Sequence, residues 1–156
     1  MTPSKKVEIL SQRLQEMGYD ALPVYREPSK SPPGDPELAE AFPLVLTTGA
    51  KLGCYVHSQM RNIPSLKRRM PHNVVEIHSD TAGGLGVGDG DTVLVESPRA
   101  SVRCQVKLTE DIRPQVVQLF HGFEEANANL LTDNTSCDPI TGSVPMRSSL
   151  CRIRKA

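Results

Sequence analysis

The chain has 156 residues, no formal net charge and 38% hydrophobic residues, values typical of one folded domain or slightly more. The balanced charge argues against a nucleic-acid-binding protein, and no apolar run is long enough to span a membrane or form a secretory signal. The four cysteines form no C-x-x-C pair, which argues against a zinc or iron–sulfur site and favours reduced thiols in the cytoplasm.

The N-terminal part of the chain has the pattern of a segment that leads into a domain. Apolar residues recur at helical spacing within Ser4–Met17, and Gly18 is a suitable stop, although the first residues also suit a short strand. Pro23–Pro36 is rich in proline, which excludes a continuous helix and predicts an extended linker on the surface. We therefore predict a lead-in segment at residues 1–41 and a compact domain at residues 42–156.

The compact domain consists of short apolar or alternating runs separated by turn residues. The predicted strands are Phe42–Leu46, Val74–His78, Thr92–Glu96, Val102–Leu108, Val116–Phe120 and Leu150–Arg154. A brief helix is expected through Leu85, with Ser79 as its N-terminal cap and Gly86 as its stop. Several short strands with one small helix favour a closed β-barrel over a sandwich.

Two patterns that suggest chemistry are weak. The glycines of "GGLGVGDGD" end a helix and lead into a strand, whereas a dinucleotide fingerprint runs from strand to helix. Asp89 and Asp91 lack the further ligands of a calcium loop. The histidines are scattered, and although their partners can meet in space, nothing local indicates a catalytic set or a metal site. We therefore predict no catalytic residue and no metal ligand.

The charge distribution is more informative. Five cations and no carboxylate lie between Ala41 and Val75: Lys51, Arg61, Lys67, Arg68 and Arg69. Beside a glycine-containing loop, with the hydroxyls of Thr47, Thr48 and Ser58, they suit a pyrophosphate or another multiply charged anion. The alternative is that Lys67–Arg69 is a solvated face. Further on, Asn127 and Asn129 suit recognition of the edge of a heterocycle, or form a plain asparagine-rich turn.

Three longer segments together resemble one family. They are "FPLVLTTGAKLGCYVHSQMRNIPSLKRRMP", "VVEIHSDTAGGLGVGDGDTVLVESPRASVRCQVKLTEDIRPQVVQLFHGF" and "ANANLLTDNTSCDPITGSVPMRSSLCRIRK". In this order they resemble the C-terminal, dinucleotide-binding domain of the dimethyl sulfoxide reductase family of molybdenum and tungsten oxidoreductases. The resemblance implies a mainly β fold, a six-stranded double-psi β-barrel with short helices and an N-terminal extension.

The same resemblance implies a cofactor and the residues that bind it. The cofactor is molybdopterin guanine dinucleotide, whose molybdenum or tungsten is carried by the cofactor and not ligated by this chain. The implied cofactor-binding residues are Thr48, Gly49, Lys51, Tyr55, His57, Ser58, Asn127, Asn129 and Arg147. Asn129 would recognise the pterin, and Lys51 and Arg147 would pair with pterin or phosphate oxygens. Lys51 stands where the family usually has arginine, which implies a looser phosphate contact.

The family's iron–sulfur cysteines and the protein ligand to the metal lie in a long N-terminal portion that nothing here matches. The resemblance therefore implies that this chain alone performs no redox turnover, and that its partners are the remaining domains or subunit of the same oxidoreductase. A second reading stays open, in which the barrel has lost the cofactor and serves as an interaction or substrate-recruiting module.

Overall fold

The structure, a computed structural model, describes residues 2, 4–50, 52–135 and 137–156. Six strands form its barrel: β1 (Leu44–Thr47), β2 (Val74–His78), β3 (Thr92–Glu96), β4 (Ser101–Thr109), β5 (Val116–Leu119) and β6 (Ser149–Lys155). Its helices are short: α1 (Gln12–Glu16), α2 (Pro36–Ala41), α3 (Pro64–Lys67), α4 (Ser79–Leu85) and a 3₁₀ helix (Ala128–Leu130). Every predicted strand is present, with ends that differ by at most two residues.

The strands close in the order β1-β5-β2-β4-β3-β6, which leaves no open edge. β1 pairs in parallel with β5, and β2 pairs in parallel with β4, whereas the other neighbours are antiparallel. Parallel neighbours need crossover connections, so this is not an up-and-down barrel. The predicted mainly β, six-stranded double-psi barrel is confirmed.

Strand direction decides which loops share one end of the barrel. Because β1 and β5 are parallel, the loops that follow them leave at the same end. β6 and β2 run antiparallel to these two strands, so the segments that precede β6 and β2 lie at that end as well. The barrel thus brings together four stretches that are far apart in the sequence.

The interior of the barrel follows the alternation of each strand. On β4, Val102, Cys104 and Val106 are buried and the residues between them are exposed. The other strands add further buried residues: Leu44, Leu46, Val75, Ile77, Val93, Val95, Val117, Leu119, Cys151 and Ile153. Burial raises the pKa of the Cys104 thiol to about 12 and also raises the pKa of Cys151, so both cysteines act as small apolar residues.

The helices show where local patterns were insufficient. The cap of α4 is His78, whose Nδ1 accepts a hydrogen bond from Asp80 N at 3.1 Å, while the predicted cap Ser79 donates its hydroxyl to Glu110. The stop is Gly86, as predicted, in the left-handed conformation. The predicted glycine-rich turn also holds, because Asp91 and Asp89 accept hydrogen bonds from backbone amides.

The lead-in segment is less helical than its spacing predicts. Only α1 forms within the predicted Ser4–Met17 helix, because Val7 and Met17 are 92% and 58% exposed and have no core to pack against. α2 was not predicted, although Asp35 caps it and a proline occupies its first turn. Among the described residues, no helix combines the length and the apolar character that crossing a membrane requires.

Glu96, at the end of β3, joins this strand to β6 through two arginines. Its carboxylate accepts hydrogen bonds from Arg154 Nη2 at 2.5 Å and from Arg152 Nε at 2.7 Å, and its side chain is only 11% exposed. Arg154 first, and then Arg152, lower the pKa of Glu96 from 4.5 to about 2. The carboxylate is therefore charged in the folded protein over most of the acid range and stabilises the β3–β6 pair.

We expect Glu96→Gln to lower the free energy of unfolding by about 1–2 kcal/mol near neutral pH, as for other charge-assisted hydrogen bonds of low exposure. Because the folded pKa lies below the unfolded value of 4.5, this stabilisation is present above that pH and is lost as the pH falls to about 2. Urea denaturation at neutral pH and near pH 3 measures it, with Glu76→Gln, which loses a single Lys107 contact, as the control. An equal difference at both pH values would contradict this assignment.

Candidate cofactor-binding site

The loop that follows β1 is attached to the segment that precedes β6. Thr48 is buried, and its amide donates a hydrogen bond to Met146 O at 2.7 Å. A Cβ added to Gly49 would lie 3.4 Å from Arg147 Nε, so the loop lies directly against this guanidinium group because Gly49 has no side chain. Gly49 and Arg147 thus form one cationic corner of the barrel end. Lys51, predicted to contribute here, lies outside the described residues.

Two histidines connect this corner to the loop that follows β5. His121 Nδ1 donates to Thr48 O at 2.7 Å, because only a protonated nitrogen can bond to a carbonyl. His121 Nε2 contacts His57 Nδ1, and the two imidazole rings stack with their centroids 4.5 Å apart. These contacts hold the His121 ring against Thr48 and orient the exposed His57 ring. His121 was not predicted as a site residue.

Gly122 lets the two loops touch at the level of their backbones. It has φ +94, and a Cβ there would lie 2.5 Å from His57 C, 2.6 Å from His57 O and 2.8 Å from Ser58 N. His57 itself has φ +54, in the left-handed region. The position of the His57–Ser58 turn is therefore set by the close approach of Gly122.

Arg61 holds the same two loops together from the side. Its Nη1 donates to Gly122 O at 2.8 Å, its Nη2 pairs with Glu125 at 3.1 Å, and its guanidinium group lies 4.1 Å from the centre of the Phe123 ring. The sequence suggested Arg61 as a cation for an anionic ligand. Arg61 is engaged within the protein, and its contact with an anionic ligand stays a prediction.

The buried side chains of Tyr55 and Asn73 hold these loops in place through hydrogen bonds to backbone carbonyls. The buried Tyr55 hydroxyl donates to Met70 O at 2.9 Å, and its ring packs edge-on against Phe123 at 6.1 Å. The buried Asn73 amide donates to Phe120 O at 2.6 Å and to Ala126 O at 2.9 Å, which fixes both ends of the loop that follows β5. Tyr55, which we predicted to contact the cofactor, therefore occupies a packing position.

A polar groove of about 590 Å³ lies beside the His57–Ser58 turn. Its lining residues are Ser58, Arg61, Asn62, Lys67, Gly122, Phe123, Glu124, Glu125, Asn127 and Asn129. Asn127 Oδ1 accepts a hydrogen bond from Asn129 N at 3.1 Å, which caps the 3₁₀ helix. The Asn127 NH₂ group and the exposed Asn129 side chain remain for a ligand. Three predicted residues thus share one groove.

The groove and the cationic corner are connected through contacts between the loops at one end of the barrel. Gly49 lies beside Arg147, the Thr48 carbonyl bonds to His121, His121 contacts His57, and Ser58 lines the groove. Amides and a hydroxyl beside an arginine are the donor set that a phosphorylated heterocycle requires. The described residues therefore fit a molybdopterin-type cofactor. In the part of the chain that the structure describes, no three His, Cys, Asp or Glu residues are grouped to hold a metal ion.

A second cavity, of about 460 Å³, lies between the lead-in segment and the β3–β4 turn. It is lined by Pro28, Leu38, Pro98 and Leu131 among others, and includes none of the predicted site residues. Its charged residues are engaged with their neighbours, since Lys30 pairs with Asp133 and Arg99 donates to Thr132 O at 2.8 Å. The polar groove is therefore the better cofactor site.

Comparison with known proteins gives the family. Residues 44–150 match the model of the "Molydopterin dinucleotide binding domain". Dopamine dehydroxylase of Eggerthella lenta is 30% identical over 171 residues, which take in 99% of this chain and 17% of that protein. Dimethyl sulfoxide/trimethylamine N-oxide reductase of Rhodobacter capsulatus is 30% identical over 127 residues, 78% of this chain and 15% of that protein. Acetylene hydratase from Pelobacter acetylenicus superposes with a TM-score of 0.90 at 27% identity, over 99% of this chain and 24% of that one.

The chain belongs to the molybdopterin dinucleotide-binding domains of molybdenum and tungsten oxidoreductases, in the dimethyl sulfoxide reductase family. The predicted family is confirmed. The chain spans less than a quarter of the length of each relative described above. These relatives therefore contain other domains beside the one that matches this chain.

Proposed function

We propose that this chain binds the guanine dinucleotide form of molybdopterin and acts as the cofactor-binding module of a molybdenum or tungsten oxidoreductase. The observation that supports the proposal is that the cationic corner and the polar groove lie on connected loops at one end of the barrel. Together they combine groups suited to phosphate with groups suited to a heterocycle, and both kinds come from segments that match the family.

Different residues contact different parts of the cofactor. Arg147, with Lys51, pairs with phosphate or pterin oxygens, and the Gly49 backbone leaves room for this approach. Ser58, Asn127 and Asn129 donate hydrogen bonds to the heterocycle that lies in the groove. His57 presents its Nε2 to the ligand because His121 occupies its Nδ1. Thr48 and Tyr55 act indirectly, since they fix the loop from which these groups project.

The chemistry of the parent enzyme is divided in the same way. When bound, the cofactor supplies the metal and the exchange of electrons, while the residues of this chain bind it and orient it. We propose that the metal ligand of the protein, the iron–sulfur cysteines and the substrate contacts belong to other domains or a partner subunit. This chain alone is then inactive.

Titration of the ¹⁵N-labelled chain with GDP, a probe for the phosphate and ring contacts, tests the proposal. We expect amide shifts at residues 49–58, at Asn127–Asn129 and at Arg147. We also expect Arg147→Met to weaken GDP binding about tenfold, as loss of one charge-assisted contact would. Arg113→Met is the control, because Arg113 precedes β5 and lies at the opposite end of the barrel. Absence of shifts at millimolar GDP would contradict the proposal and favour the interaction module.

A further inference from the structure

The polar groove contains a carboxylate that phosphate binding does not explain. Glu125 pairs with Arg61, so its charge is balanced within the protein. Glu124 also lines the groove, is exposed, and makes no ion pair among the described residues. A second cation in the groove, Lys67, balances it overall, so the groove carries no excess positive charge. A site for phosphate alone would exclude this carboxylate, because like charges repel. The groove therefore suits an uncharged ring that offers hydrogen-bond donors.

One ring edge offers donors in the arrangement that a carboxylate prefers. In a 2-amino-4-oxopyrimidine, a ring N–H and an amino N–H point the same way, and the two oxygens of a carboxylate can accept both. The adjacent ring carbonyl needs a donor, which the NH₂ group of Asn127 or Asn129, or Lys67, can supply from the same groove. Guanine and pterin share this edge, and the molybdopterin guanine dinucleotide of the proposed function contains both rings.

We infer that Glu124 is a specificity-determining residue that recognises the 2-amino-4-oxopyrimidine edge of the ring in the polar groove. This inference rests on the proposed function and specifies which chemical group of the ligand the groove recognises. Adenine offers an acceptor where guanine offers the ring N–H, and hypoxanthine lacks the amino group. Either ring would leave the carboxylate with an unmatched oxygen, which is the kind of mismatch that discriminates strongly between ligands.

The test compares ligands with and without the amino group, on the wild-type chain and on Glu124→Gln. Calorimetry with GDP and IDP measures the contribution of the guanine amino group. Neopterin and its lumazine analogue, in which oxygen replaces the amino group, make the same comparison for the pterin. We expect at least one amino-bearing ligand to bind the wild type about tenfold more tightly than its analogue. Glu124→Gln should remove this preference, whereas Glu16→Gln, on α1, should keep it.

The two arms identify the ring, and the amide shifts separate the two hypotheses. A preference for GDP over IDP assigns guanine to the groove, and a preference for neopterin over lumazine assigns the pterin. Equal binding of each pair, with amide shifts still at the groove and at Arg147, would overturn the role of Glu124 and leave the proposed function standing. A preference that persists in Glu124→Gln would overturn that role in the same way. Absence of shifts with every ligand would overturn both hypotheses.

Discussion

Replacing Gly122 by alanine is expected to lower the free energy of unfolding by about 3 kcal/mol or more and to abolish GDP binding. The added Cβ would lie 2.5–2.8 Å from backbone atoms of His57 and Ser58, and backbone cannot turn aside as a flexible side chain can. The residue also has φ +94, which an L-residue adopts only with strain. The His57–Ser58 turn, which leads into the polar groove, must therefore move away from the loop that follows β5.

A matched variant separates the steric clash from the backbone strain. Gly142 has φ +68, but a Cβ there would meet nothing within 4 Å. Gly142→Ala is therefore expected to lower the free energy of unfolding by about 1 kcal/mol, because it adds backbone strain without a clash. Urea denaturation gives both free energies, and GDP titration with amide shifts shows whether the turn has moved. Equal losses of stability in Gly122→Ala and Gly142→Ala would show that the contact with His57 has no energetic weight.

Arg61→Met is expected to lower the free energy of unfolding by about 2–3 kcal/mol and to weaken GDP binding at least tenfold. The guanidinium group makes a hydrogen bond to Gly122 O, an ion pair with Glu125 and a cation–π contact with Phe123, and its side chain is only 20% exposed. Methionine keeps the apolar stem but removes all three contacts. The loop that follows β5 then loses one of its attachments to the loop that follows β1, and Glu125 is left without its partner.

Two further variants control this experiment. Arg69→Met removes an exposed cation of the same segment and should change the stability by less than about 0.5 kcal/mol. Arg61→Lys keeps the charge but not the planar fork, so its stability should lie between those of the wild type and Arg61→Met. Loss of GDP binding in Arg69→Met equal to that in Arg61→Met would indicate that overall charge, and not the attachment of the loops, governs binding.

The strands could be predicted because each one shows a local pattern of apolar residues bounded by turn residues. The alternation of apolar and polar residues on β4 places Val102, Cys104 and Val106 inside the barrel. The turn between Glu96 and Ser101 marks where β3 ends and β4 begins. The helical spacing in the lead-in segment was misleading. It predicts a helix with one apolar face packed against the domain, but no other part of the described structure covers Val7 or Met17. Spacing alone predicts a helix only when something packs against it.

The sequence predicted several residues of the site, but not the contacts between the loops that carry them. Motifs indicated Ser58, Asn127 and Asn129, and the structure brings these three into one groove. The roles of Arg61 and His121 depend on the parallel pairing of β1 and β5, which are about seventy residues apart in the sequence. No local pattern shows that the loops after these strands meet, so Arg61 could not be told from its exposed neighbours.

The pairing of β1 with both β5 and β6 has a consequence for biosynthesis. The first strand of the barrel acquires both its neighbours only when the last strand has been made, and such distant pairing is slow to form. Until then the corner at Gly49 lacks Arg147, which arrives with the segment before β6. A nascent chain whose β6 is still inside the ribosome therefore has an open barrel, and under the proposed function the prosthetic group binds only after that strand has emerged.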